Sequence, residues 1–266
     1  MTADSKKWIH MVGIAGAGMS GIAKILLEQG MKVSGSDLQF SETVEGLQHA
    51  GIITYQGHSA ANMEAGIDLV VYSSAVPWSN EEIQWAVKNR IPVLKRGEML
   101  ARIVNDKNTI AVAGAHGKTT TSAMVYTVLE ECGVDPSFIV GGELQGTSMN
   151  ARLGQGEFFV VEADESDASF LELKPHIAII TNIEDDHLDY YKSVEKLNDA
   201  FRQFVNQVNH EGFALLFGGD ANNLHIKQNA AGRVIIYGEN EDCDYQLKNW
   251  RSTGSGSQFD VYQQGR

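Results

Sequence analysis

Residues Thr109 to Val125 read TIAVAGAHGKTTTSAMV, and the order of residue types in this stretch decides the fold. An apolar run, Ile110 to Ala113, enters a loop of small residues, Gly114, Ala115, His116 and Gly117. Lys118, Thr119 and Thr120 follow, and then a segment with helical apolar spacing. Strand, phosphate loop and helix are predicted in that order. Backbone N–H groups of such a loop, the helix N-terminus and a lysine can jointly hold a triphosphate, and the hydroxyl after the lysine can hold Mg²⁺. The usual pattern GxxxxGK[ST] would put a glycine at 112, where this chain has Val112. A glycine-rich turn that binds nothing is the alternative, and GKT set between a strand and a helix argues against it.

Around this stretch the composition sets limits. A chain of 266 residues that is 43% hydrophobic suits two domains of modest size. Lys plus Arg number 21 against 34 acids, a net charge of −13, which argues against a general nucleic-acid or membrane-surface binder. An anionic ligand must then be held locally. Cys132 and Cys243 stand far apart without a CxxC pairing, which fits a reducing cytoplasm and argues against a disulfide scaffold or a structural zinc. The polar start, MTADSKKWIH, lacks the apolar core of a signal peptide, and no apolar run approaches the ~18 residues of a membrane span. Ser252 to Ser257, STGSGS, reads as the most flexible piece.

Upstream of the phosphate loop, Trp8 to Gly13 reads as a buried strand, followed by GIAGAGMSG with glycines at 13, 16, 18 and 21. Ile22 to Leu27 continues as a helix that Gly30 closes, and Lys32 to Ser36 forms a second strand ending at Asp37. An acid about 20 residues past the glycines, at the tip of strand two, is where a dinucleotide fold contacts ribose. Three readings stay open for this turn: the pyrophosphate of NAD, the diphosphate of another nucleotide such as a UDP-sugar, or close helix packing alone. Ile52 to Tyr55, Asp68 to Tyr72 and Pro92 to Leu94 are further short β-rich runs between helical stretches such as Glu81 to Asn89, which implies a parallel, doubly wound sheet. Ligands of such sheets sit beyond the C-terminal strand ends, so Ser73, Ser74 and Arg96 share a rim with Gly16 and Asp37. Capping serines and a surface cation are the plain alternatives, and His58 reads as a loop residue. Polar Asn105 to Asn108 is the expected domain junction.

Downstream, Ser122 to Glu131 is predicted as a helix ended by Gly133, and Phe158 to Val161 as a buried strand with Glu162 at its end. An acid at a strand tip near a phosphate loop can hold Mg²⁺, although EADESD also reads as a solvated acidic loop. The strand Ile177 to Ile180 delivers TNIEDDHLDYY, in which Asn182 and His187 stand among acids; a neutral imidazole can ligate a metal while a carboxylate orients its ring. The helix Val194 to Val208 and the strands Phe213 to Phe217 and Arg233 to Tyr237 add scaffold. Met11, Met19, Met124 and Met149 read as apolar packing.

Taken in order, GIAGAGMSG, GSD at 35 to 37, SSAVP at 73 to 77, KRGEML at 95 to 100, GAHGKTTT at 114 to 121, VVEADESD at 160 to 167 and TNIEDDHLDYY at 181 to 191 resemble the Mur ligases, over essentially the whole chain. Within that family GAGMSG and His116 resemble the branch that adds L-alanine to UDP-N-acetylmuramate in peptidoglycan synthesis. The resemblance implies an α/β fold, with a Rossmann-like parallel-sheet domain at residues 1–107 binding the UDP-sugar and an ATP-binding phosphate-loop central domain at 108–266. It implies that ATP phosphorylates the muramoyl carboxylate, that the amine of alanine attacks the acyl phosphate, and that phosphate leaves. Gly114, Ala115, His116, Gly117, Lys118, Thr119 and Thr120 would cradle ATP, with Lys118 on the β/γ-phosphates. Thr119, Glu162 and His187 would hold Mg²⁺, and His116 and Asn182 would place the reacting ends. Gly16, Ala17, Gly18, Met19 and Ser20 would take the diphosphate, Asp37 the uridine end, and Ser73, Ser74 and Arg96 the remainder. The family's loop commonly reads GTHGKT, so Ala115 is a departure that costs one hydroxyl. Family members are also much longer, so the chain is expected to correspond to the first domain and part of the central one, with the amino-acid site beyond Arg266. A non-catalytic module that senses UDP-sugars or ATP is the reading from another class.

Overall fold

The computed structural model describes residues 6–144 and 149–263; the first five residues of the polar N-terminal stretch lie outside the described residues. The chain forms two compact units, Met1–Ile103 with Val125–Val160, and Val104–Met124 with Val161–Arg266.

The first unit is built on alternating strands and helices: β1 (Trp8–Val12), α1 (Ala17–Glu28), β2 (Lys32–Asp37), α2 (Glu42–His49), β3 (Ile53–Gln56), β4 (Leu69–Tyr72), α3 (Glu81–Lys88), β5 (Val93–Lys95) and α4 (Arg96–Val104). The five strands make a parallel sheet in the order β3-β2-β1-β4-β5, with Met11 opposite Gly35 and Ile9 opposite Leu69. Every residue of β1 is buried, as expected for a central parallel strand covered on both faces. Trp8, Val12, Val70, Tyr72, Ile83 and Ala86 form one apolar cluster between sheet and α3. Gly35 is required by close approach: a Cβ there would stand 2.5 Å from the Met11 carbonyl oxygen and 2.6 Å from Ile14 Cδ1. α1 buries Ile22, Ala23, Ile25 and Leu26 and is closed, as the sequence predicts, by Gly30 at φ +83°, whose N–H bonds the Leu27 carbonyl while Met31 N–H bonds that of Leu26.

The remaining elements are β6 (Asn108–Ala113), α5 (Lys118–Glu131), β7 (Ser137–Ile139), β8 (Ala151–Arg152), β9 (Phe158–Glu162), β10 (Ile177–Ile180), α6 (Leu188–Tyr191), α7 (Val194–Asn206), β11 (Phe213–Phe217), α8 (Ala221–Asn229), β12 (Val234–Gly238), β13 (Tyr245–Ser252) and β14 (Ser257–Gln263). A second, nine-stranded sheet runs in the order β14-β13-β12-β11-β10-β6-β9-β7-β8. In it β6 and β10 pair in parallel, Ile110 opposite Ile177 and Ala113 opposite Ile180, so both deliver their following loops to one rim. α7 is strongly amphipathic: Leu197, Ala200, Phe201, Phe204 and Val205 are buried, and the Ser193 hydroxyl caps Lys196 N–H at 3.3 Å.

Ser252 to Ser257 closes the antiparallel β13–β14 hairpin: Ser252 and Ser257 pair, and the exposed residues between them make its turn. The reading of the methionines as apolar packing is corrected for Met124 and Met149, which are exposed at 65% and 37%, whereas Met11 in the central strand β1 and Met19 on the buried face of α1 are buried. His58 is a loop residue, as the sequence suggests, and its Nδ1 lies 2.9 Å from Ser36 Oγ and 3.5 Å from Glu82 Oε2. Both cysteines are free thiols, Cys132 exposed and Cys243 buried. Among the described residues no helix is long and apolar enough to cross a membrane.

Candidate nucleotide sites

The phosphate loop leaves β6 at Ala113 and becomes α5 at Lys118, the strand–loop–helix order read from the sequence. Gly114 adopts φ +131° and Gly117 φ +82°. A Cβ on Gly114 would run into Thr181 Oγ1 and the Asn182 backbone, so the loop can lie this close to the β10 exit only with glycine there. The segment after β10 grips the loop. Thr181 Oγ1 donates to the His116 carbonyl at 2.7 Å, Asn182 Nδ2 donates to the same carbonyl at 3.0 Å, Asn182 Oδ1 accepts from His116 N–H at 2.9 Å, and the Asn182 carbonyl accepts from Ala115 N–H at 3.2 Å. Asn182 therefore spends its side chain bracing the loop. The His116 imidazole is 73% exposed, with Nε2 3.4 Å from Glu184 Oε2.

Lys118 Nζ donates to the Gly114 carbonyl at 2.6 Å and to Glu165 Oε1 at 2.7 Å. Glu165 is almost wholly buried, and its carboxyl lies above the ordinary carboxylate range because desolvation outweighs the attraction of Lys118. Its other oxygen, Oε2, has no hydrogen-bond partner. Tyr191 fixes this loop from below, its buried hydroxyl donating to the Glu165 carbonyl at 2.6 Å, and burial drives that phenol well above its usual pKa.

The residues expected to hold a cation come only partly together. Glu162 ends β9, and its Oε1 is buried without a hydrogen-bond partner, an acceptor that suits a cation. Thr119 lies in the first turn of α5. His187 sits before α6 at φ +57°, with Nε2 3.9 Å from Glu165 Oε1 and 3.7 Å from Asp186 Oδ2. Among the described residues no group of three or more His, Cys, Asp and Glu side chains is arranged to hold an ion. The site's chemistry is thus a lysine, a strand-end carboxylate with a spare oxygen and an imidazole around one loop.

In the first unit, Gly16 precedes α1 and the turn is tied to the end of β2: Asp37 Oδ2 accepts from Ala15 N–H at 2.9 Å, and Gly13 and Ile14 N–H both bond the Ser36 carbonyl. Asp37 therefore braces the glycine turn. Gly18 lies against Arg96, and Gly13 against Ser73, each 3.1 Å from where a Cβ would stand, so the turn, Ser73 and Arg96 do share a rim. Ser74 is exposed beside them. Met19 and Ser20 are buried, and the Ser20 N–H bonds the Gly16 carbonyl at 2.8 Å. A cavity of about 280 Å³ opens beside the turn, lined by Ala15, Ala17, Ser20, Lys24, Thr43 and Asn150 among others.

Sequence reading assigned no role to Glu165, Thr181, Tyr191, Lys24 or Asn150. Glu165 sat in a run of acids where nothing local marks the buried one, and the others act through contacts with distant parts of the chain.

A parallel-sheet unit with a glycine turn at its rim and a unit whose lysine follows a strand–loop–helix turn define an α/β protein, and both turns are of the kind that can hold phosphate groups. The family model "Mur ligase family, catalytic domain" matches residues 8–108 and "Mur ligase middle domain" matches residues 112–266. The chain belongs to the Mur ligase family. It is 60% identical over 258 residues to the UDP-N-acetylmuramate–L-alanine ligase of Syntrophomonas wolfei subsp. wolfei, covering 96% of this chain and 56% of that protein. Among solved structures it resembles the UDP-N-acetylmuramate-alanine ligase of Thermotoga maritima, with a TM-score of 0.85 at 31% identity over 97% of this chain and 58% of that one. It also resembles the UDP-N-acetylmuramate:L-alanyl-gamma-D-glutamyl-meso-diaminopimelate ligase of Neisseria meningitides, with a TM-score of 0.89 at 29% identity over 98% and 85%. The chain spans about half the length of the curated relatives it matches.

Proposed function

We propose that this chain carries the UDP-sugar-binding and ATP-binding portions of a cytoplasmic ligase that joins L-alanine to the carboxylate of UDP-N-acetylmuramate, with an acyl phosphate between the two half-reactions. The observation that carries the reading is the phosphate loop itself, gripped by Thr181 and Asn182 and presenting Lys118 beside the Glu165 carboxylate. The relatives' alanine-adding activity supports the choice of substrate.

In this reading, Gly114 to Thr120 wrap the phosphates of ATP and Lys118 turns from Glu165 to the β/γ-phosphates. Thr119, Glu162 and His187 would hold Mg²⁺, which when bound would neutralise charge on the transferred group, where phosphoryl transfer gains most. His116, exposed at the loop tip, places the reacting ends together with Asn182, which acts through the loop backbone. The domain boundary falls at residues 107/108, with the Gly16–Ser20 turn donating backbone N–H groups to the diphosphate, Asp37 reaching the uridine end, and Ser73, Ser74 and Arg96 contacting the remainder. No nucleic acid or membrane takes part.

Calorimetry on this chain should show binding of UDP-N-acetylmuramate and, separately, of Mg·ATP. Glu162→Ala should weaken Mg·ATP binding at least tenfold and leave UDP-N-acetylmuramate binding unchanged. Absence of UDP-N-acetylmuramate binding at millimolar ligand by the folded chain would sink the proposal. A phosphate-release assay on a longer form of the protein with ATP, Mg²⁺, UDP-N-acetylmuramate and alanine separates a ligase from a sensor, which would not turn over.

A further inference from the structure

Asn150 reaches α1 from the start of β8, far from it in sequence and next to it in the first unit. It is 7% exposed, and its Nδ2 donates both to the Ala17 carbonyl at 3.0 Å and to Ser20 Oγ at 2.9 Å. Ser20 Oγ in turn donates to the Ala17 carbonyl at 3.0 Å. On the other side of the amide, Lys24 Nζ donates to Asn150 Oδ1 at 2.7 Å. An ammonium has no acceptor, so Lys24 fixes which end of the amide faces it and leaves the NH₂ end to α1. Gly21 permits the approach: a Cβ there would stand 3.0 Å from Ile139 Cγ2, 3.5 Å from Ala151 Cβ and 3.6 Å from Asn150 Nδ2. The last glycine of GAGMSG thus serves packing of β7 and β8 on α1.

The Ala17 carbonyl belongs to the same planar peptide unit as Gly18 N–H. That N–H is in the first turn of α1, where N–H groups have no partner within the helix. Two donors on one carbonyl hold the plane of this unit and polarise it, which makes Gly18 N–H a stronger and better-aimed donor. The charge of Lys24 polarises the Asn150 amide in the same sense. Burial lowers the Lys24 pKa, and Glu143 and Glu28 oppose that, so the ammonium sits in a partly desolvated place where its hydrogen bond counts for more.

We propose that Asn150, oriented by Lys24, is a positioning residue for the diphosphate-binding turn: it aims the Gly18 N–H through the Ala17 carbonyl. The proposal rests on the reading of this turn as a UDP-sugar site. It deepens that reading by identifying a residue outside the glycine motif that tunes diphosphate affinity.

The test is calorimetry with UDP and with uridine on the wild-type chain, Asn150→Ala, Asn150→Asp and Lys24→Met, with amide NMR of the ligand-free proteins alongside. Asn150→Ala and Asn150→Asp should each weaken UDP about tenfold while uridine affinity stays the same, and Lys24→Met should weaken UDP two- to threefold. In the ligand-free proteins the Gly18 amide resonance should shift in all three variants, most in the two at position 150. Equal losses for UDP and uridine, or UDP affinity unchanged in Asn150→Ala, would overturn the proposal. A folded wild-type chain that binds no UDP would remove the ligand reading alone; the Gly18 resonance then still decides the positioning, and an unmoved resonance overturns it.

Discussion

Lys118 shows how one side chain can serve two states. With Glu165 as its partner it neutralises a carboxylate that burial would otherwise keep from ionising. Lys118→Met should therefore do more than abolish nucleotide binding: it leaves Glu165 buried without a cation, at a cost of about 3 kcal/mol in the second unit. The double variant Lys118→Met/Glu165→Gln should recover most of that stability and none of the binding, as urea unfolding and calorimetry would reveal; a double variant as unstable as the single one contradicts this account. Glu82 poses the opposite case. It is fully buried in the first unit, its Oε2 accepting from Ser36 Oγ at 2.5 Å and its Oε1 from Asn62 Nδ2 at 2.6 Å, with His10 Nε2 at 3.6 Å. Burial pushes its carboxyl up, but the nearby His10 ring and the hydrogen bonds from Ser36 and Asn62 outweigh burial and leave it below the ordinary range. A depressed carboxylate adds stability that is fully present above the unfolded value, about pH 4.3, and is lost as pH falls through the folded one. Melting temperature followed from pH 6 to pH 3 should drop more steeply in the wild type than in Glu82→Gln, which starts lower; parallel curves would show that Glu82 does not govern the acid limb.

At the scale of elements, the loop after β10 works as a clasp on the loop after β6. Asn182→Ala removes one donor and one acceptor from the His116 backbone and should cost about 1–2 kcal/mol of stability. It should also weaken Mg·ATP about tenfold by loosening the cradle, with UDP binding untouched; a loss shared by both ligands would point to general unfolding. The strand, loop and helix carrying Lys118 were legible because apolar periodicity, glycine and GKT occur together within a dozen residues. So were the parallel strands of the first unit, where runs such as Trp8 to Val12 are apolar but for His10. β7, β8 and the β13–β14 hairpin were not, because their strands are short or polar, and hairpin pairing places Leu247 opposite Val261 without local alternation strong enough to announce it. In the site, residues at strand tips were readable by position. Glu165, Asn150 and Tyr191 were hidden because their roles are set by burial and by partners such as Ala17, 133 positions from Asn150.

Across the whole molecule, charge and ligand disagree. The net charge of −13 surrounds the two sites proposed for phosphorylated ligands, so long-range electrostatics would oppose encounter. Raising ionic strength from about 50 to 200 mM shortens the Debye length from about 14 to 7 Å and should increase the association rate of ATP with this chain two- to threefold. Stopped-flow measurement with a fluorescent ATP analogue checks the sign; a rate falling with salt would mean that local cationic groups govern the approach.

The pairing of Lys118 with Glu165 has a consequence for selectivity. The ligand-free cradle already contains its own counter-ion, so an incoming anion enters as a rival to a tethered carboxylate at very high effective concentration. Orthophosphate or sulfate, meeting only the loop and the lysine, gains little by such an exchange. A polyphosphate that also engages the backbone N–H groups of the loop, and brings a cation to the spare oxygen of Glu162, gains from several contacts at once. Under the proposed ATP-binding role of the loop, Glu165 would act as a threshold against small anions at the lysine.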